Sequence, residues 1–240
     1  MKTYRIFYEF NFSDGRSEKF QCDFNEKTFE LLQNPPEDPP EWIKSDFHQC
    51  PNCTLDSLKT PYCPQATCLL PIIRAFDHNV SYERVHLKVI LDDREIRTET
   101  SLARGVSSLM GLLIATCGCP VTRFFIPMGR FHLPLASQDE TIFRASASFL
   151  LSQYFMKKSG RPACLNLGGL IKVYDEIQTI NQSMLNRLRT ATQTDSTVNA
   201  LILLDVYAKF ALIDIDECLD EIRYLFEPFM ERLISLHSEL

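Results

Sequence analysis

The sequence predicts an α+β fold: an N-terminal antiparallel sheet of about four strands with a cysteine knuckle, followed by a bundle of about five helices. Three observations carry this reading. Before residue 100, apolar and polar side chains alternate in four short stretches. From Ser101 onward, apolar residues recur instead at spacings of three and four. Between the two pairs of alternating stretches lies a segment rich in cysteine and proline.

Tyr4, Ile6, Tyr8, Phe10 and Phe12 fall on alternate positions, which gives the first strand one continuous apolar face. Ser13-Asp14-Gly15-Arg16 follows as a hairpin turn, because glycine accepts positive φ. Phe20, Cys22 and Phe24 mark the returning strand. The Pro-Pro pairs at 35–36 and 39–40 exclude a ladder or a long helix, so residues 25–41 read as an extended connection whose end Trp42 and Ile43 anchor. Residues 66–76 read as a short helix. Val85, Leu87, Val89 and Leu91 form a third strand, Asp92-Asp93 a turn, and residues 94–100 a more polar fourth strand.

In the second part, Leu102, Val106, Leu109, Met110, Leu113 and Ile114 lie on one helical face, and Gly118 and Pro120 stop the helix. Residues 121–136 read as a loop. Ser137 and Glu140 form a capping box that opens a helix to about Lys158. A third long helix runs over about 167–190. A fourth starts near Ser196, capped by Asp195 or Ser196, and uses Leu201, Leu204, Val206, Tyr207 and Phe210. The last begins near Asp216 and is broken or kinked at Pro228. The division is therefore 1–100 for the β-rich part and 101–240 for the helical bundle, packed as one unit.

The 240 residues are 45% hydrophobic and 23% charged, the balance of an ordinary globular chain. A net charge of −6 disfavours nucleic acid and anionic membrane surfaces, leaving a protein or a small molecule as the expected partner. No apolar run approaches the ~20 residues of a membrane span, and the first ten residues lack a signal-peptide core. A cytoplasmic chain is expected. Its nine cysteines then read as thiols and metal ligands rather than a disulfide framework.

Cys50 and Cys53 have the two-residue spacing that lets both sulfurs wrap one tetrahedral ion. With Cys63 and Cys68 they make a four-cysteine zinc knuckle in which His48 or Cys119 is the alternative fourth ligand. A competing set, Cys50, Cys53, Cys63 and Cys119, suits an iron–sulfur cluster, since three of these are followed by proline. Without metal, the same cysteines serve as small buried hydrophobes. A second constellation joins Cys119 with Arg130 and His132, a possible thiolate–imidazole pair beside an anion-binding cation. A third is the polar set Asp175, Glu176, Asn181, Arg187, Arg189, Asp195, Asn199 and Asp205, which reads as interhelical pairs or solvated faces more readily than as a ligand site. Glycine-rich phosphate loops, His-Glu-x-x-His and Gly-x-Ser-x-Gly are missing, so the common nucleotide, zincin and hydrolase chemistries lack their signatures.

The runs His48–Cys53, Gly118-Cys119-Pro120 and Pro127–Pro134 resemble an uncharacterised bacterial protein family with a His-x-Cys-x2-Cys knuckle and a Pro-Met-x-Arg-Phe-His-Leu-Pro loop. The resemblance extends to Gln153-Tyr154-Phe155 and residues 195–204, and implies one integrated unit without supplying an activity. The functional expectation is a cytoplasmic metal-binding protein, structural zinc foremost, acting as an interaction or regulatory module. The alternatives are an iron–sulfur redox sensor and an enzyme using the Cys119/Arg130/His132 loop.

Overall fold

The computed structural model describes residues 2–34, 36–192, 195–213 and 215–237. Side chains are described throughout these segments except at 207, 210–213 and 237, so the core roles expected of Tyr207 and Phe210 lie outside the described residues. Strands β1 (Thr3–Phe12), β2 (Ser17–Asn25), β3 (Arg84–Leu91) and β4 (Arg94–Ser101) form one antiparallel sheet in the order β2-β1-β3-β4. The period-two pattern fixes its faces. Ile6, Tyr8, Phe10 and Phe12 are buried together with Val85, Leu87, Val89 and Leu91, and the register sets Ile6 between Cys22 and Leu91. The opposite face is solvated and carries exposed pairs such as Lys19–Glu9 and Arg84–Glu99.

Eight helices are described: α1 (Pro64–Phe76), α2 (Leu102–Thr116), α3 (Ile126–Arg130), α4 (Gln138–Lys158), α5 (Gly168–Ala191), α6 (Ser196–Ile213), α7 (Ile215–Ile222) and α8 (Glu227–His237). Ser101 ends β4 and caps α2 through its hydroxyl, which accepts the Arg104 N–H at 3.4 Å. No linker separates sheet from bundle at that point. Helix α2 presses on the sheet at Gly105, where an added Cβ would lie 2.9 Å from a Phe10 ring carbon. The Ser137–Glu140 capping box is complete in both directions.

Two elements depart from the sequence reading. The segment 121–136, expected as a loop, contains a 3-10 turn (Thr122–Phe125) and α3. Pro127 does not oppose this helix, because the first turn has no partner for its missing N–H. The C-terminal helix is broken, as one of the two expected outcomes at Pro228, but the break is a 3-10 turn (Arg223–Leu225) between α7 and α8 that precedes Pro228, which sits in the first turn of α8.

One core runs from the sheet face through α1 and α2 into α5 and α6, where Met184, Leu188 and Leu201 are fully buried. A smaller cluster of Phe149, Leu170, Tyr174, Ile177, Ala208 and Ile215 joins α4 to α5, α6 and α7. The space left between these two clusters is where the chemistry converges.

Candidate functional site

A cavity of about 350 Å³ opens between α2, the α3 segment and α4–α6. Its walls are mainly apolar, with Leu112, Phe125, Met128, Ile177, Leu204 and Ala208 among them. Small groups on α2 make the room: Gly111 and Ala115 both face it. Ser108, His132, Arg144 and Asn181 supply the polar edges.

The polar edges are organised from the sheet outward. Tyr8, the one buried hydroxyl on an otherwise aromatic and aliphatic strand face, bonds both Ser108 Oγ at 2.9 Å and His132 Nε2 at 2.5 Å. Ser108 Oγ also accepts the Leu135 N–H at 3.0 Å. Burial pushes the Tyr8 phenol well above its ordinary range and holds the His132 imidazole down at about 3. Both groups are therefore neutral at pH 7, and the phenol and Nε2 share one hydrogen bond.

Arg144 closes the chain's other side. Its Nη2 donates to the carbonyls of Met128 at 2.6 Å and Phe131 at 2.9 Å, which holds the turn bearing His132 against α4. Burial lowers the guanidinium's pKa, partly offset by the nearby Glu140 carboxylate. Tyr174 packs against Phe125 with its ring tilted by 55°, and its phenol is pushed up by burial. Asn181 donates to the buried Asp205 carboxylate at 3.4 Å, which also receives Gln182 at 3.2 Å and Lys209 at 2.8 Å.

The other sequence-derived residues have different surroundings. Cys119 neighbours Cys117 and Thr122, whereas His132 belongs to the Tyr8–Ser108 chain, so the two have separate partners. The Arg130 guanidinium lies over the Tyr4 ring at 4.4 Å and over Phe29 at 5.6 Å, a cation–π seat.

The knuckle is a closed loop. Ser45 N–H to Pro61 O at 2.9 Å and the Lys44–Tyr62 bridge tie its two ends, and Cys53 N–H to Cys50 O at 2.9 Å shapes its tip. Arg187 from α5, 1% exposed, clamps the stem: Nη1 donates to Trp42 O at 2.8 Å and Lys44 O at 2.7 Å, and Nη2 to Ser45 O at 3.2 Å. Burial pushes the thiols of Cys50 and Cys63 up, and the Arg187 cation beside both pulls in the opposite direction. Cys50 lies close enough to Cys53 and Cys63 for their charges to interact. Cys68 stands behind them in the core, beside Cys117, and donates to Gln65 O at 3.1 Å. His48 is exposed and packs edge-on against Phe47. Among the described residues, no group of three or more His, Cys, Asp or Glu side chains is close enough to hold a metal ion. Asp195 ties its helix to Ser81, and Asn52 in the knuckle donates to Glu176 O, so the third polar set is dispersed over several contacts.

A family model described as a domain of unknown function (DUF6901) matches residues 6–227. The chain belongs to the DUF6901 family. The match runs from β1 to the first residue of α8, so the sheet, the knuckle and helices α1–α7 are parts of the DUF6901 unit. No curated protein and no solved structure matches it. Among the described residues of this DUF6901 chain, no helix is long and apolar enough to cross a membrane.

Sequence reasoning singled out His132 but missed Tyr8, Ser108 and Arg144 as its company. Two signals were there: the Ser107-Ser108 pair interrupts the apolar face of α2, and Tyr8 places a hydroxyl on a buried strand face, where it needs a partner. Arg144 gave no local signal, since its acceptors lie 13 and 16 positions away.

Proposed function

We propose that this chain is a binding or regulatory module for a small, mainly apolar molecule that enters the cavity between α2 and α4–α6. The observation that carries the reading is the cavity itself: about 350 Å³ of mostly apolar wall onto which Ser108, His132, Arg144 and Asn181 converge. Ligand sites of globular proteins have this combination of volume, apolar lining and few oriented polar groups. The neutral His132, held by Tyr8, suits recognition better than proton transfer near pH 7, because its pKa lies far below that range. The test is binding of Nile red, an uncharged dye that brightens in apolar surroundings. Wild-type protein is expected to bind it saturably. Gly111→Leu, which fills the cavity from α2, is expected to abolish saturable binding while keeping a cooperative melt. Equal binding by both proteins defeats the reading.

A second reading keeps zinc at the knuckle: Cys50 senses the charges of both Cys53 and Cys63, with Arg187 beside Cys50 and Cys63, although the three thiols as placed are not gathered closely enough to hold an ion. Three thiolates on one ion carry excess negative charge, which a buried guanidinium would balance. The core position of Cys68 makes His48, Cys119 or water the better completion of the site. Elemental analysis of anaerobically purified protein, followed by cobalt(II) titration, tests it. Stoichiometric zinc lost in Cys50→Ser and Cys53→Ser supports the site. Metal-free protein with no cobalt–thiolate absorption removes it, and a brown iron-containing preparation replaces it with a cluster.

A further inference from the structure

We propose that the ligand of this cavity is a carboxylate amphiphile, an apolar body ending in a single acid group that Arg144 receives. The inference rests on the binding reading above and names its ligand class. Among the described residues, the charged ones lining the cavity are Arg104 and Arg144, with no Asp or Glu, although the chain as a whole is acidic with net charge −6. The described charges on the cavity wall are thus both positive.

The two arginines are not equivalent. Arg104 is exposed at the rim, where Nη2 donates to Leu135 O at 3.4 Å. Arg144 is half-buried and fixed through Nη2 alone by two carbonyls, so among the described residues its Nε–H and Nη1–H groups carry no hydrogen bond. A planar guanidinium anchored on one nitrogen presents its remaining donors in a fixed direction, the arrangement that matches a carboxylate. Glu140, whose carboxylate interacts with the Arg144 charge, accepts the Ser137 N–H at 2.7 Å within the capping box. Tyr8 occupies Nε2 of His132 and leaves Nδ1 as its second ring nitrogen. An acid head therefore meets donors, while its apolar body meets Leu112, Met128, Ile177 and Leu204. An amine head would meet two cations.

Displacement of Nile red by decanoate, decanol and decylamine tests the inference on the full chain. Decanoate is expected to displace the dye at a concentration at least about tenfold below that of decanol, the worth of one charge-assisted hydrogen bond. In Arg144→Gln that ratio should fall to near one. If this variant loses its cooperative melt, Arg144→Lys is read instead and should cut the ratio at least about threefold, because a point charge lacks the fork. Equal displacement by decanol, or stronger displacement by decylamine, overturns the acid assignment while leaving the cavity reading intact. A ratio unchanged by either substitution removes Arg144 from it. Failure of all three compounds and of the dye to bind defeats both readings together.

Discussion

Tyr8 on β1 and His132 behind α3 meet through a 2.5 Å hydrogen bond that spans 124 positions of the chain. The bond couples the buried face of the sheet to the turn at the edge of the cavity. Ser108 completes it from α2, so three separate elements share one phenol. Tyr8→Phe removes the shared group and leaves the Ser108 hydroxyl and His132 Nε2 without it. A loss of about 1–3 kcal/mol is expected in urea unfolding. An unchanged midpoint would mean that the three groups contribute no net stability through this contact.

His132 makes stability depend on pH. An unfolded imidazole titrates near ~6.5, whereas burial holds the folded one at about 3. Between these values the unfolded chain binds the extra proton, so this group's contribution is complete above about 6.5 and is lost as pH falls toward 3. The slope is at most about 1.4 kcal/mol per pH unit, reduced by the solvent that reaches this half-buried residue. Urea midpoints measured from pH 7.5 to 4 should fall more steeply for wild type than for His132→Asn. Parallel curves would contradict the burial of the neutral ring.

Arg187 has a structural role that its charge does not suggest. Its three hydrogen bonds among the described residues all go to backbone carbonyls at Trp42, Lys44 and Ser45. Arg187→Ala should cost about 3 kcal/mol or more, because three carbonyls lose their donor at about 1–3 kcal/mol each. Arg187→Lys should recover less than half, since one ammonium cannot span three carbonyls. Limited proteolysis provides the second readout: cleavage between 46 and 60 should accelerate in both variants. Protection equal to wild type would show that the loop closes without the clamp.

How far these features could be read in advance follows from where their signals lie. The strands were legible because Tyr4 to Phe12 and Val85 to Leu91 encode their faces locally, and the Ser137–Glu140 cap because both partners lie within four residues. The 122–130 helical segment was not, because Pro127 and Gly129 imitate loop composition while occupying positions that a short helix tolerates. Gly129 is there for contact: an added Cβ would lie 2.9 Å from Thr116. The cavity left almost no local trace, since its polar groups come singly from α2, the turn after α3, α4 and α5. Arg187 was grouped with neighbouring polar residues although its acceptors lie 142 to 145 positions away.

Two glycines of α2 make a direct comparison. At both, alanine gains up to about 1 kcal/mol of helix propensity. Gly105→Ala meets Phe10 at 2.9 Å in the core, so overpacking should outweigh that gain and lower stability by about 1–2 kcal/mol. Gly111→Ala meets Leu204 at 3.4 Å beside the cavity and should be neutral or stabilising. Thermal melts of the two variants check the contrast, and a reversed order would misplace α2 against the sheet.

The most direct test of the cavity as a ligand site is methyl NMR of methionine-labelled protein titrated with decanoate. Met128 lines the cavity, Met110 and Met184 are sealed in the core, and Met230 lies on α8 beside exposed Phe229 and Ile234. The prediction is a saturable shift of the Met128 methyl, with Met230 unmoved. A Met128 signal that stays in place, or a titration confined to Met230, would contradict binding in the cavity and assign the apolar ligand to the exposed C-terminal face.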